Sequence, residues 1–283
     1  MNGQRKGFSR RQGLRLGQIG FLLFALAASE AAAPAIPWKL LQPGVEYAAL
    51  EVSSPTDLGD KKIHVVRVNP ASARLCARLA SETDKHKRTA RQWSREFNLA
   101  VAANLGMYQA DDLSHVGYLR SGNHINNPKW TKTYYAALAF DPKSADLAPA
   151  VLADLDLPEA KAGLEGYHRV AQNLRLIKAP GKNVWSQTEK RWSEAALAMD
   201  DQGRILILFC RTPFSMFEFN RLLLSLPLGI VRAMHLEGGP EASLSIHAGG
   251  VDLDLCGSYE TGFWLNDTNT RQWPIPNVLG VAK

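Results

Sequence analysis

Paired carboxylates next to paired glycines are the strongest chemical signal in the chain. They occur in His235-Leu236-Glu237-Gly238-Gly239-Pro240-Glu241-Ala242-Ser243. The apolar run over 230–236 reads as a strand, which delivers Glu237 to its C-terminal end. Gly238 and Gly239 permit a tight turn and leave their amides unshielded. Glu241 and the Ser243 hydroxyl follow on the far side. Two carboxylates beside backbone donors suit acid–base work on one ligand. The plainer alternative is a hairpin turn with solvated glutamates.

Two further segments carry polar groups at inferred strand ends. Asn104-Leu105-Gly106-Met107-Tyr108 follows the apolar run 99–103. Asn104 offers both a donor and an acceptor, which suits sugar hydroxyls. His115, in a later loop, can donate to a phosphate or simply be solvated. Gln172-Asn173-Leu174-Arg175 reads as strand-like, so Asn173 and Arg175, two apart, are expected on one face. An arginine there can fork onto a phosphate. Otherwise the run is an edge strand with a solvated polar face.

These groups need a sheet to gather them. Strands are expected over 45–52, 63–69, 74–79, 99–103, 134–140, 195–199, 204–210, 242–247 and 251–255, from short apolar runs or period-two alternation. Thr89 with Gln92, and Ser215 with Glu218, have capping-box spacing and predict two helices. Phe214 and Phe219 stand at the staple positions of the second. Pro227 and Gly229 end that helix. Residues 145–163 read as a loose excursion within one domain. Many strands, few helices and no strict βαβ alternation predict an α+β fold: mixed β-sheets flanked by a few helices in a single domain. No GxGxxG follows a strand, which disfavours a plain Rossmann fold.

Of the 283 residues, 46% are hydrophobic, enough for a substantial core without disulfides or metal. The net charge of +6 would suggest an anionic partner if it were spread over the fold. It is concentrated at the start instead. Arg5, Lys6, Arg10, Arg11 and Arg15 precede a short apolar run and then small residues. That order predicts a secretory signal peptide over 1–35, cleaved to leave a domain over 36–283. Ser9-Arg10-Arg11 also resembles a twin-arginine signal. The remainder is then near neutral, so nucleic acid is not expected as a partner. Nor is a stable membrane span after cleavage, because the apolar run is short. The expected location is periplasmic or secreted. Cys76, Cys210 and Cys256 allow at most one disulfide and show no CxxC spacing. No metal-binding motif and no cofactor are read. Asp111-Asp112 and Asp252-x-Asp254 read as solvated carboxylates.

The order of these segments resembles the phosphodiester glycosidase family. Its Asn-Gly-Gly-aromatic motif, His-x-Gly, Asn-Leu segment, D-x-x-G hairpin and Leu-Asp-Gly-Gly motif are similar to residues 104–108, 115–117, 173–177, 200–203 and 236–239. The resemblance covers residues 38–262. It implies hydrolysis of a sugar 1-phosphodiester, with a carbohydrate or sugar phosphate as substrate, in envelope or exopolysaccharide metabolism. It assigns carboxylate chemistry to Glu237, as stabiliser or nucleophile, and to Glu241 as base. Arg175 and His115 would hold the phosphate. Asn104 and Asn173 would bind sugar hydroxyls, and Gly238 and Gly239 would supply amides.

Two departures from the pattern stand out. Glu237 replaces the usual aspartate. Glu194 falls near the place of a usual arginine, and the nearest arginine, Arg191, either reaches in from a loop or the contact is missing. These departures favour a rival reading, a non-catalytic carbohydrate or sugar-phosphate binding protein of envelope polysaccharide assembly. A serine hydrolase using Ser243 or Ser245 with His247 is a weaker rival, because no G-x-S-x-G elbow is present.

Overall fold

Alternation of apolar side chains explains the main sheet. Along Lys62–Val68, Val66 and Val68 face one core while Ile63 and Val65 face another. Ile207 and Phe209 in the Ile205–Phe214 strand, and Leu197 in Trp192–Asp200, repeat the first set. Leu206, Leu208, Ala196 and Ala198 repeat the second. A sheet with apolar side chains on both faces must be covered on both. The computed structural model describes residues 35–283, which form one compact unit. The signal segment read over 1–35 lies almost wholly outside the described residues.

Three antiparallel sheets enclose one core. The largest runs Lys39–Gln42, Val45–Glu51, Lys62–Val68, Ile205–Phe214, Trp192–Asp200, Ile230–Gly238, Arg175–Lys178, Lys182–Asn183 in spatial order. The second runs His124–Asn127, Leu119–Ser121, Tyr167–Asn173, Ala136–Pro142, Ala150–Asp154, and the third Val251–Cys256, Ser243–Ala248, Leu99–Asn104, Asn277–Ala282, Leu75–Leu79. Leu197, Phe209 and Leu236 from the first sheet meet Leu138 and Phe140 from the second and Val101, Leu244 and Leu279 from the third.

Each sheet's outer face carries its own short helix. Met216–Ser225 lays Phe219 and Leu223 on the first sheet. Ala90–Glu96 lays Trp93 against Ala102 and Val278 of the third. Leu164, closing Ala160–Leu164, covers Ala139 and Val170 of the second. Both predicted capping boxes are present: Thr89 and Ser215 each accept the backbone N–H three residues on, and Gln92 and Glu218 reach back. The fold is therefore mostly β rather than α+β. Its sheets are antiparallel rather than mixed, because no helix serves as a crossover between neighbouring parallel strands.

Two local expectations change. The 172–177 run is not one strand: the chain leaves the second sheet at Asn173 and enters the first at Arg175. Asn173 and Arg175 thus belong to different sheets and do not share a face. The loose stretch 145–163 contains the strand Ala150–Asp154 and most of a helix.

Candidate active site

His235 and Glu237 share one face of the Ile230–Gly238 strand, while Leu236 between them points into the common core. Met216, the first residue of the Met216–Ser225 helix, lines the same cavity as His235 and Glu237. On the neighbouring strand Trp192 and Glu194 face the same way. Register shifts here: Ala195 opposes Glu237, yet Ala196 opposes His235, so Leu236 is the extra residue of a bulge. The bulge lies at the edge of this cavity of about 470 Å³, which is lined by the residues on either side of it.

Glu237, Gly238, Glu241, His235 and Glu260 line this cavity, together with Lys190. Apolar walls come from Trp185, Trp192, Tyr108, Met107 and Met216. Flat aromatic walls beside a few convergent polar groups suit a ring that is apolar on one face and hydroxylated at its edge. Burial pushes the Glu237 pKa up to about 8, with Glu241 adding to the rise and His235 opposing it. One Glu237 oxygen accepts from the Gly238 N–H at 3.0 Å. Burial also raises Glu241 and Glu260.

The glycines act through their lack of side chains. A Cβ on Gly238 would stand 2.7 Å from the Trp192 ring, and one on Gly239 would stand 2.8 Å from a Glu260 oxygen. Gly239 also has φ +62°, which favours glycine. The Gly238 amide is not an open donor, because its N–H is held by Glu237.

Asn104 and Asn173 lie behind the cavity and brace its backbone. Asn104 is buried; its Oδ1 accepts from Ser243 N–H at 2.7 Å and its Nδ2 donates to the Glu241 carbonyl at 3.0 Å. It thereby ties the Gly239–Glu241 turn to the end of the Leu99–Asn104 strand. Asn173 Nδ2 donates to the Leu236 carbonyl at the bulge, 3.2 Å away. Neither amide lines the cavity.

The expected phosphate holders are engaged elsewhere. Arg175 Nη1 donates to Asp154, the last residue of the Ala150–Asp154 strand, at 2.5 Å and to Asp156 at 2.7 Å. His115 is fully buried beneath Gly106 and donates from Nε2 to the Gln172 carbonyl at 2.7 Å. Burial lowers its pKa to about 4, so it is neutral near pH 7. Arg191 forks onto Glu218 at 3.0 and 2.7 Å, holding that helix-capping carboxylate down near 2. Sequence reasoning passed over His235, Glu260, Lys190 and the tryptophans. The signal for His235 was present, since it stands two before Glu237 on one strand. Glu260 comes from an irregular loop and had none.

The serine rival has no geometry. Ser245 donates to Asp254 at 2.6 Å, Ser243 donates to the Glu241 carbonyl at 3.0 Å, and His247 contacts Asp252 and Asp254.

The model of the phosphodiester glycosidase family matches residues 97–282. Among solved structures, the catalytic domain of zebrafish N-acetylglucosamine-1-phosphodiester alpha-N-acetylglucosaminidase, auto-inhibited by pro-peptide, is similar at TM-score 0.58 and 13% identity. That likeness covers 86% of this chain and 84% of that one. A hypothetical protein from Synechocystis is similar at TM-score 0.61 and 15% identity, over 89% of this chain and 64% of its own. At these identities the likeness is one of fold. Comparison with curated proteins gives no match.

Proposed function

We propose, since the chain belongs to the phosphodiester glycosidase family, that it hydrolyses sugar 1-phosphodiesters by breaking the bond between the anomeric carbon and the phosphate oxygen. One observation supports this above the others: Glu237, Glu241 and Glu260 converge on a single aromatic-walled cavity. Such a reaction passes through an oxocarbenium-like transition state, for which carboxylates are the usual partners.

The buried position of Glu237 changes the role first given to it. With a pKa near 8 it keeps its proton at neutral pH, so it serves as acid rather than as nucleophile. Glu241, partly buried at the cavity wall, is then the base. Water adds to the anomeric carbon and gives its proton to Glu241. The C–O bond breaks with its electron pair on the phosphate oxygen, and Glu237 supplies a proton to the leaving phosphate monoester. A phosphate is a good leaving group, so this acid help is modest and charge stabilisation carries more of the rate.

N-acetylglucosamine 1-phosphodiesters, the substrate class in the name of the zebrafish protein, are the first to test. The charged, then apolar, then small-residue start of the chain supports export. The decisive experiment is turnover of a panel of sugar 1-phosphodiesters, with free sugar and phosphate monoester as the expected products. Saturable binding with no turnover across the panel would replace hydrolysis by the sugar-phosphate binding reading, which the Glu194 and Glu237 departures favour.

A further inference from the structure

An anion bound here must sit among Glu237, Glu241 and Glu260. The basic side chains on the cavity wall are Lys190, exposed at the rim, and His235. His235 is 3% exposed and lies with Nδ1 2.6 Å from Glu194 Oε1. Glu194 is 2% exposed, and its Oε2 accepts from Trp192 Nε1 at 2.7 Å. The indole N–H can only donate, so Oε2 is fixed as an acceptor and Oε1 is left for the histidine. Gly238 makes room for this, since any side chain there would displace the indole. Nε2 of His235 has no hydrogen-bond partner among the described residues.

Proton counting decides what Nε2 presents. Put one proton between Nδ1 and Glu194 and one on Nε2. Whichever partner holds the shared proton, Nε2–H remains a donor toward the cavity. Burial works against charge on the ring, but Glu194 outweighs it and raises the imidazole pKa. The pair also accounts for position 194. An acid where the family pattern has an arginine would repel an anion unless a partner neutralised it, and His235 is that partner.

We propose that His235, oriented through Nδ1 by Glu194 and Trp192, binds the phosphate of the substrate by donating from Nε2 to a phosphate oxygen. This rests on reading the cavity as a sugar-phosphate site. Glu194 and Trp192 are positioning residues, and Lys190 adds charge at the rim.

The test is calorimetric titration of the full chain with N-acetylglucosamine 1-phosphate, N-acetylglucosamine and inorganic phosphate. Wild type should prefer the 1-phosphate over the sugar by roughly tenfold or more, in line with one hydrogen bond to a charged group. In His235→Gln that preference should fall below about threefold. In Glu194→Gln the indole N–H claims the amide oxygen and the amide NH2 donates to Nδ1, so even a neutral ring keeps Nε2–H as a donor. Its preference should persist, weakened, from about pH 6 to about pH 8. Glu237, Glu241, Glu260 and Lys190 also face this space. The neutral-sugar arm measured at each pH separates their effect on the sugar from the effect on the phosphate.

An unchanged preference in His235→Gln, or no preference in wild type, overturns the assignment. Wild-type preference without diester turnover removes the hydrolysis reading and leaves this one standing. Turnover with an unaltered KM in His235→Gln does the reverse. If a single variant fails to fold, the Glu194→Gln/His235→Gln pair leaves no unmatched buried charge and provides the same ratio.

Discussion

Glu237 has its proton set by burial, and that makes it testable from two sides. With the pKa raised from 4.5 to about 8, the folded state holds a proton that the unfolded state releases above pH 4.5. Stability from this group is therefore full below pH 4.5 and is lost as pH rises through about 8. Glutamine does not titrate. Glu237→Gln should melt higher than wild type at pH 8, with the gap closing near pH 4; equal melts at both pH values would show that the carboxyl is not buried as described. Turnover should move the other way in the glutamine variant, but by less than the roughly 100-fold at the low end of general-acid effects, because a phosphate leaving group needs little acid help. Glu237→Asp, which restores the family's usual residue, should keep measurable activity. In wild type, activity should decline as pH passes about 8, where the acid form disappears.

Arg175 gives the opposite kind of prediction. Its partner Asp154 is almost fully buried, so Arg175→Met strands a carboxylate and should cost about 3–5 kcal/mol. KM for a sugar 1-phosphodiester should hardly change. A KM rise of tenfold with stability intact would return Arg175 to the phosphate.

At the scale of elements, the site depends on how strand ends are fastened. The Gly239–Glu241 turn carries Glu241 and is tied to the third sheet through Asn104. Asn104→Ala leaves the Ser243 N–H and the Glu241 carbonyl without these partners, at about 1–3 kcal/mol. The turn should then lower kcat more than it raises KM, because it misplaces a base rather than removing a ligand contact. Steady-state rates beside thermal melts check this, and a KM change alone would mean that Asn104 touches substrate.

The sequence made the carboxylate turn, both helix caps and most strands of the first and third sheets legible, because local pattern and cap chemistry act over a few residues. It could not show the sheet switch at Leu174. The Gln172-to-Ile177 run is continuous as a pattern, and only tertiary pairing divides it between two sheets. Nor could it show that Arg175 and Arg191 are spent on Asp154 and Glu218, since those partners are set by packing. The strand Asn277–Ala282, central in the third sheet, was passed over. Its Gly280, packed against Leu99 and Cys76, breaks the apolar run that marks other central strands.

At the scale of the whole molecule, three antiparallel sheets close on a shared core, and each outer face is sealed by its own helix. Stability therefore comes from apolar burial on both faces of each sheet, and no cross-link is needed. The three cysteines fit that description. Cys76, Cys210 and Cys256 are free and buried, and burial raises each thiol's pKa. The thiolate is the reactive form, so these thiols should be nearly inert in the native state even in an oxidising compartment. With Ellman's reagent near pH 8, native protein purified without reductant should react slowly. Guanidinium should release all three thiols at once, and reductant should leave the melting temperature unchanged. Only one free thiol after denaturation would reveal a disulfide and change the account of what holds the sheets together. Fast reaction of one native thiol would instead point to Cys256, which hydrogen-bonds with Arg211 and is the most exposed of the three.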